Sequence, residues 1–471
     1  MCKFFYNFAL DFMNKSTICA ISSPPGIGGI AVIRVSGGEA IAIVDRLFDG
    51  RTPLADAKGG TVHFGRICKR LEDEGVRGLE VLDEVLCSVF RAPHSFTGED
   101  TVEITCHGSV YIQREMVQWL VEAGCAVARP GEFTQRAFLN GKMDLAQAEA
   151  VADLIAAQSK AEKELAFSQL RGAVSKELQT LRDRLLHFTS LVELELDFAD
   201  HEELEFADRS ELTNLADEIE RKLQSLIASF RTGNAIRNGI PVAIIGAPNV
   251  GKSTLLNALL GDDRAIVSDI QGTTRDTIEE TLVLDGILFR LIDTAGLRET
   301  HDVIEQMGVE RSRKAAESAQ IIILMSAPEV LNDATLSLSE RKQSLLNDAK
   351  GTVIEVLNKI DLLPTANSQG LIAISAKNGE IEPLKKELVR VAKEQLKDRS
   401  AVMLSNARHY EAVSRAHEAI ERVQQGLDQG LSGELLSLDL QDCLSALGEV
   451  TGQITNDEIL SNIFSKFCIG K

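Results

Sequence analysis

The stretch GAPNVGKS, residues 246–253, decides the fold of the central part of this chain. It fits the pattern G-x-x-x-x-G-K-[S/T], follows the apolar run VAIIG (242–246) and leads into the helix-forming run STLLNALLG (253–261). A strand, a glycine-rich loop and a helix in this order are the context that a phosphate-binding loop requires. Backbone N–H groups would surround the phosphates, Lys252 would reach the outer ones, and the Ser253 hydroxyl would bind Mg²⁺. The stretch therefore predicts a nucleoside triphosphate site.

Three later motifs indicate that the base is guanine. DTAG (293–296) ends a predicted strand, where its carboxylate could hold Mg²⁺ and its glycine N–H could face a γ-phosphate. NKID (358–361) ends another strand, and Asp361 could accept both N–H groups of the guanine edge. Adenine would leave that carboxylate unpaired, which is unfavourable. SAK (375–377) would supply a backbone N–H to the guanine oxygen. Four elements in this order predict a guanine-nucleotide-binding domain.

The polar segment SDIQGTTRDTIEE (268–280) lies between the first two motifs. Thr274 is its candidate Mg²⁺ ligand, which would become ordered around a γ-phosphate. Leu297 stands where Ras-like proteins have a water-positioning glutamine, and the sequence assigns no arginine finger. Asn249 and the threonine segment could instead hold a monovalent cation. Glu305 is the nearest unassigned acid able to orient water, although its spacing alone indicates a surface helix residue.

The pattern of apolar residues predicts a multidomain α/β protein. Short β-rich runs, such as 28–37, 81–90 and 100–108, occupy the first part of the chain, and a long helical pattern begins near residue 144. Alternating strands and helices then predict a Ras-like doubly wound sheet, after which the helical pattern returns. We therefore predict a P-loop domain inserted in a helical domain, since the ends of a compact domain often lie close together. The predicted boundaries are 1–12 (extension), 13–140 (α+β), 141–235 (helical, first part), 236–398 (P-loop) and 399–471 (helical, second part).

Composition limits the classes of partner. The chain has 471 residues, of which 70 are acidic and 50 basic, for a net charge of -20. Such a charge argues against a protein that binds nucleic acid through its own general electrostatics. Its eight cysteines show no paired CxxC spacing, which favours the reducing cytoplasm. No apolar run approaches the roughly 20 residues that span a bilayer, so we expect no membrane partner.

The chain resembles the MnmE (TrmE) family of tRNA-modification GTPases from about Met13 onward, and only residues 1–12 have no counterpart. The motifs that carry the resemblance are GTTRD (272–276), DTAGLRE (293–299), FCIGK (467–471), PPGIGGIAVIRVSG (24–37), SFTGEDTVEI (95–104) and RPGEFTQRAFLNGKMDLAQAEAVADLI (129–155). The resemblance implies a K⁺-dependent GTP hydrolase. With a FAD-dependent subunit of MnmG type, such an enzyme adds an aminomethyl-type group to C5 of the wobble uridine of certain tRNAs.

The resemblance also implies cofactors, partners and site residues. It implies 5-formyltetrahydrofolate or a related tetrahydrofolate in an α+β folate-binding and dimerisation domain, FAD only through the partner, a homodimer within a heterotetramer, and tRNA held mainly by the partner. The implied catalytic residues are Glu305 and Cys468. The implied K⁺ ligands are Asn249, Ser268, Ile270 and Thr273, and the implied folate ligands are Arg34, Glu103, Lys142 and Lys471. The predicted GTP contacts are Asn249, Val250, Gly251, Lys252, Ser253, Thr254, Ser268, Asp269, Ile270, Gln271, Gly272, Thr273, Thr274, Asp293, Thr294, Ala295, Gly296, Asn358, Lys359, Asp361, Ser375, Ala376 and Lys377, with Ser253 and Thr274 on Mg²⁺.

Several alternatives compete with these interpretations. The segment GIGGIA (26–31) fits a lenient dinucleotide motif and imitates a KH loop, but a predicted strand follows it where both motifs need a helix. The terminal FCIGK is a poor prenylation box, and a frayed tail is the simplest alternative for it. A ribosome-assembly or RNA-binding GTPase switch would need a basic RNA-binding module, which the sequence does not show. A folate enzyme that binds GTP only as a structural ligand is a third class.

Overall fold

The computed structural model describes residues 16–73, 76–197, 209–262, 280–292, 313–328, 351–362, 371–396, 402–455, 457–465, 467, 468 and 470. The chain divides into two compact units. The first comprises Met1–Ala152 with Thr451–Lys471, and the second comprises Asp153–Val450. The described residues before 152 and after 451 therefore belong to the same unit, as an inserted central part requires.

The bounds of the regular elements are as follows. The strands are β1 (Ile18–Ile21), β2 (Ile30–Ser36), β3 (Phe48–Gly50), β4 (Thr61–Asp73), β5 (Val76–Phe90), β6 (Thr101–His107), β7 (Ala126–Val127), β8 (Ile240–Gly246), β9 (Glu280–Leu284), β10 (Ile287–Leu291), β11 (Ile321–Ser326), β12 (Thr352–Leu357) and β13 (Ile372–Ala373). The helices are α1 (Ala40–Leu47), α2 (Val110–Glu122), α3 (Glu132–Leu139), α4 (Leu145–Ala156), α5 (Lys160–Leu170), α6 (Ala173–Asp197), α7 (Arg209–Asn238), α8 (Lys252–Asp262), α9 (Glu382–Gln395), α10 (Ala407–Asp428), α11 (Gly433–Thr451) and α12 (Asp457–Phe464).

The first unit is built on a mixed sheet with the order β3-β4-β5-β6-β2-β1-β7. The pairing of β1 with β7 is parallel, and the other pairs are antiparallel. Ala31, Ile33 and Val35 of β2 are buried in one core cluster, whereas Arg34 lies on the opposite face because side chains alternate along a strand. The predicted strands at 28–37, 81–90 and 100–108 are confirmed by β2, β5 and β6.

The C-terminal residues also pack in the first unit. Leu460 and Phe464 of α12 and the following Phe467 form one buried cluster with Leu145 and Ala148 of α4. Burial of these apolar side chains supplies the driving force that holds the end of the chain against this unit.

The helical part of the second unit joins two segments that are far apart in sequence. The rings of Phe230 in α7 and Tyr410 in α10 stack with centroids 4.4 Å apart. Gly233 allows the backbone at Leu404 to approach α7, because a Cβ there would lie 2.1 Å from the Leu404 carbonyl oxygen. This packing confirms the predicted helical domain interrupted by an α/β domain. None of the helices in the described parts of the chain is long and apolar enough to cross a membrane.

The inserted α/β domain has a sheet with the order β13-β12-β11-β8-β10-β9. The strand pairs are parallel except β9–β10, as a doubly wound sheet with one reversed edge strand requires. The central strand β8 is flanked by β10 and β11, so the chain order reverses at its carboxyl end. Ligands of open α/β sheets bind in the crevice at such a point. The predicted phosphate loop begins there.

Candidate functional site

The phosphate loop between β8 and α8 has a backbone that depends on two residues. Asn249 and Gly251 have positive φ angles, of 62° and 96°. Asparagine tolerates this left-handed region and glycine enters it freely. Gly251 is also constrained by its neighbour, because a Cβ there would lie 2.3 Å from Nδ2 of Asn358. The last glycine of the motif is therefore required both by φ and by space.

We expect Gly251→Ala to lower GTP affinity by ten- to a hundredfold. The added methyl would displace Asn358 and strain a positive φ, which together cost about 1–3 kcal/mol. Gly261→Ala is the matched control, since Gly261 lies at the end of α8 and a Cβ there would meet nothing within 4 Å. Isothermal titration with GTP measures both. Equal affinity in the two variants would contradict the proposed loop geometry.

Lys252 is held over the phosphate loop. Its Nζ donates hydrogen bonds to the carbonyl oxygens of Gly246 and Ala247, both at 2.9 Å. Burial lowers the pKa of Lys252, because the low-polarity surroundings disfavour its charged form. An anionic phosphate beside the ammonium would offset that effect. Ser253 follows in the first turn of α8, where the helix N-terminus favours negative charge.

The guanine-recognition motifs are joined to the phosphate loop by one side chain. Nδ2 of Asn358 donates to the Val250 carbonyl at 2.8 Å, and Oδ1 of Asn358 accepts from the Ala376 N–H at 3.0 Å. Asn358 is only 2% exposed, so these hydrogen bonds are protected from water. A single buried amide therefore sets the distance between the loop that would hold the phosphates and the loop that would hold the base.

Asp361 is positioned by a serine. The hydroxyl of Ser375 donates to Oδ1 of Asp361 at 2.7 Å, and Ser375 itself is fully buried. Asp361 is exposed in the short 3-10 turn Ile360–Leu362. Within the described residues its other oxygen, Oδ2, has no protein partner, so a carboxylate acceptor is available to a base.

Other predicted nucleotide residues lie outside the described parts of the chain. They include the candidate Mg²⁺ ligand Thr274 and the proposed catalytic Glu305, and their assignments stay predictions. The full set is Ser268, Asp269, Ile270, Gln271, Gly272, Thr273, Thr274, Asp293, Thr294, Ala295, Gly296 and Glu305. The described residues give their attachment points, since the two segments precede β9 and follow β10. Because β10 runs parallel to β8, its carboxyl end lies at the same sheet edge as the phosphate loop.

A second cluster lies in the first unit, on the face of β2 and β6 that carries Arg34 and Glu103. Arg34 and Glu103 are register partners, and Nε and Nη2 of Arg34 donate to Oε1 of Glu103 at 2.9 and 2.8 Å. The Phe96 and Phe133 rings lie 5.3 and 5.6 Å from the guanidinium carbon, within the range of cation–π attraction. The two aromatic neighbours were not predicted from the sequence, because they come from a loop and a helix distant along the chain.

Lys142 contacts the loop that carries Phe96. Its Nζ donates to the Pro93 carbonyl at 2.8 Å, and Nδ2 of Asn140 donates to the Thr97 carbonyl at 2.7 Å. Lys142 is exposed, so its ammonium is accessible to an anion. Three predicted folate residues are thus tied to a single group of elements in the first unit, while Lys471 lies outside the described residues.

Comparison with known proteins decides the family. The family model described as "MnmE helical domain" matches residues 145–468, and that described as "GTP-binding protein TrmE N-terminus" matches residues 17–142. The tRNA modification GTPase MnmE of Parabacteroides distasonis is 54% identical over 97% of this chain and 100% of its own length. The chain belongs to the MnmE family of tRNA modification GTPases.

Two further similarities complete the comparison. The tRNA modification GTPase MnmE of Bacteroides thetaiotaomicron is 50% identical, and the match covers 98% of this chain and all of that protein. A crystal structure of Era in complex with MgGDPNP and nucleotides of 16S ribosomal RNA is 25% identical over 38% of this chain and 65% of that chain, with a TM-score of 0.25. So low a TM-score adds nothing to the MnmE family assignment.

The terminal FCIGK motif is packed within the first unit at its described residues. Phe467 is 9% exposed, and the Gly470 carbonyl accepts a hydrogen bond from the Ser22 hydroxyl at 3.1 Å. Cys468, between them, is exposed. The frayed-tail alternative is therefore wrong for Phe467 and Gly470, and the thiol is presented from a segment with two anchored residues.

Two other cysteines of the first unit are poor candidates for thiolate chemistry. Burial raises the pKa of Cys87 to about 12 and that of Cys106 to about 11, with Asp83 adding to the shift of Cys106. Both thiols stay protonated at neutral pH, and the thiolate is the form that binds metals or attacks carbon. They serve as small apolar side chains in the core of the sheet.

Proposed function

We propose that this chain is a K⁺-dependent GTP hydrolase that acts on tRNA together with a FAD-dependent subunit of MnmG type. The pair would add an aminomethyl-type group to C5 of the wobble uridine of certain tRNAs, with a tetrahydrofolate one-carbon unit as the carbon source. The observation that carries the GTPase half is Asn358, whose buried amide joins the phosphate loop to the base-recognition loop. Membership of the MnmE family supports the tRNA half.

The donor set of the nucleotide site fits two hard cations. The hydroxyl of Ser253 would hold Mg²⁺ together with Thr274, and oxygen is the ligand that Mg²⁺ prefers. Asn249 is exposed on the phosphate loop with its backbone in the left-handed region, so its amide oxygen is accessible to K⁺. Ser268, Ile270 and Thr273 would complete the K⁺ site. When bound, these cations neutralise charge that develops on the phosphates during hydrolysis.

We expect hydrolysis to be on the order of tenfold faster in K⁺ than in Na⁺, because a cation that stabilises the transition state acts on turnover. Asn249→Gly should abolish this preference while leaving GTP affinity nearly unchanged, since glycine keeps the positive φ and removes only the amide. Asn249→Ala is the companion variant, which adds backbone strain. Phosphate release measured at equal ionic strength tests all three proteins. An unchanged K⁺-to-Na⁺ ratio in Asn249→Gly would remove Asn249 from the cation site.

The Arg34–Glu103 pair offers hydrogen-bonding groups that suit the ring of a folate. Within the described residues, Nη1 of Arg34 and Oε2 of Glu103 have no protein partner, so the pair presents donors beside an acceptor. A pterin ring has a lactam edge with one acceptor and one donor, which such a pair matches. Lys142 is the exposed cation for a folate carboxylate. We therefore infer that Arg34 binds the ring together with Glu103, and that Phe96 and Phe133 hold the guanidinium in place.

The net charge of the chain indicates which subunit would hold the tRNA. With a net charge of -20, this chain is poorly suited to hold the tRNA backbone alone. The proposed partner would therefore carry most of the tRNA as well as the FAD. We further propose a homodimer whose G domains meet across the nucleotide, so that GTP turnover regulates the modification site in the cytoplasm.

A further inference from the structure

The C-terminal tail, described at residues 467, 468 and 470, is anchored at its base by aromatic packing. The Phe464 and Phe467 rings have centroids 5.5 Å apart, and both side chains are buried in the cluster with Leu145 and Leu460. The direction in which the chain leaves α12 is thus set by the core of the first unit.

Two glycines bring the tail into backbone contact with that unit. Gly131 has a φ of 68°, and a Cβ there would lie 2.6 Å from the Phe464 carbonyl oxygen. Its N–H points at the Cys468 carbonyl oxygen, at the long distance of 3.5 Å. Gly470 has a φ of 93°, and a Cβ there would lie 2.2 Å from the Ile21 carbonyl oxygen. Only glycine fits at either position.

Ser22 supplies the side-chain contact to the tail. Its hydroxyl donates to the Gly470 carbonyl at 3.1 Å. Its own N–H donates to the Val32 carbonyl at 2.8 Å, which extends the β1–β2 ladder by one residue. The hydroxyl that holds the tail is therefore carried by the sheet and not by a free loop.

The same sheet carries the Arg34–Glu103 pair. Ala20 of β1 is the register partner of Arg34, and Arg34 is the register partner of Glu103. Ser22 comes two residues after Ala20, so by the period of a strand it belongs to the same face, about 7 Å further along. Gly131, which also contacts the tail, precedes α3, whose Phe133 ring lies 5.6 Å from the guanidinium carbon of Arg34.

We propose that Ser22, together with the backbone contacts of Gly131 and Gly470, is a positioning residue that seats the C-terminal tail and thereby presents Cys468 on the Arg34–Glu103 face. This role rests on the proposed function, because the one-carbon chemistry is what would use the thiol. Ser22 forms no bond with a reactant and acts only through the tail.

The contacts of Ser22, Gly131 and Gly470 with the tail are together called the seat. Hydrogen–deuterium exchange of the full-length protein tests the seat independently of function. Loss of one partly buried hydrogen bond in Ser22→Ala should speed exchange of the tail amides about fivefold. Gly470→Ala should speed it about tenfold or more, since its Cβ collides with backbone. Ser22→Thr keeps the hydroxyl, and Ser23→Ala removes a neighbouring hydroxyl that contacts Val32 N–H and not the tail, so both should match the wild type. Unchanged exchange in Ser22→Ala and Gly470→Ala would overturn the seat.

tRNA modification by the assembled enzyme tests the positioning role. Ser22→Ala should lower the modification rate by up to about fivefold, because a fivefold larger opening equilibrium lowers the bound fraction of the tail by at most that factor, with unchanged GTP hydrolysis and unchanged KM for tRNA. Ser22→Thr should restore the rate. Faster tail exchange with full modification would show that the seat exists and is not used, which overturns the proposal. If the wild type modifies no tRNA, the proposed function and the positioning role fall together, while the exchange data still decide whether the seat exists.

Discussion

Asp361→Asn should lower GTP affinity by about two to three orders of magnitude and transfer the preference to xanthosine triphosphate. The wild-type carboxylate would accept the two N–H groups of the guanine edge, and hydrogen bonds to a charged acceptor contribute about 1.5–3 kcal/mol each. The asparagine amide presents a donor in place of one acceptor. That donor faces an N–H in guanine and an oxygen in xanthine, so one nucleotide is rejected and the other accepted.

The position of Asp361 allows its substitution by asparagine without a change in side-chain orientation. Oδ1 of Asp361 accepts from the Ser375 hydroxyl at 2.7 Å, and the oxygen of an asparagine can accept the same hydrogen bond. The side chain therefore keeps its orientation, and only the group facing the base changes. Asp361→Ala is the control, because it should lose GTP without gaining xanthosine triphosphate. Retained GTP affinity in Asp361→Asn, measured by titration with both nucleotides, would contradict the guanine assignment.

Cys468→Ser should leave GTP hydrolysis unchanged and reduce tRNA modification by about tenfold or more. A serine fills nearly the same space, but its hydroxyl is a far weaker nucleophile than the cysteine thiol. The thiol is exposed between the buried Phe467 and Gly470, so the substitution removes a presented group and no packing.

Ser465→Ala provides the matched control for the tail. Ser465 is exposed, and among the described residues its hydroxyl donates only to the Asn462 carbonyl within its own segment, at 3.1 Å. The enzyme with Ser465→Ala should modify tRNA at the wild-type rate. Modification by Cys468→Ser at the level of Ser465→Ala would show that the tail takes no part in the chemistry.

Local pattern was enough to predict the nucleotide domain. The run VAIIG is apolar throughout because β8 is buried on both faces, and GAPNVGKS places Gly251 where φ is positive. The order of the motifs therefore predicted a guanine-nucleotide-binding domain, and the alternation of strands and helices predicted its doubly wound sheet. Asn358 was predicted only as part of a base-recognition motif. Its hydrogen bond to Val250, 108 residues earlier, depends on tertiary packing that no local pattern encodes.

The cluster around Arg34 and Glu103 could likewise not be predicted from local sequence pattern. Arg34 and Glu103 were assigned only through the resemblance, since an isolated charge on a strand carries no signal of its own. Their pairing depends on the register of β2 with β6, and Phe133 arrives from a helix a hundred residues after Arg34. The seat of the tail at Ser22 joins residues 448 apart in sequence, so it could not be predicted without the fold.

The proposed modification of the wobble uridine is tested by the wobble-uridine content of tRNA from cells lacking the gene. Nucleoside mass spectrometry of total tRNA, with and without a plasmid copy of the gene, gives the comparison. We expect the aminomethyl-type C5 derivatives to disappear on deletion and to return with the wild-type copy, while other tRNA modifications stay constant. Wobble uridines that remain fully modified in the deletion strain would contradict this proposal.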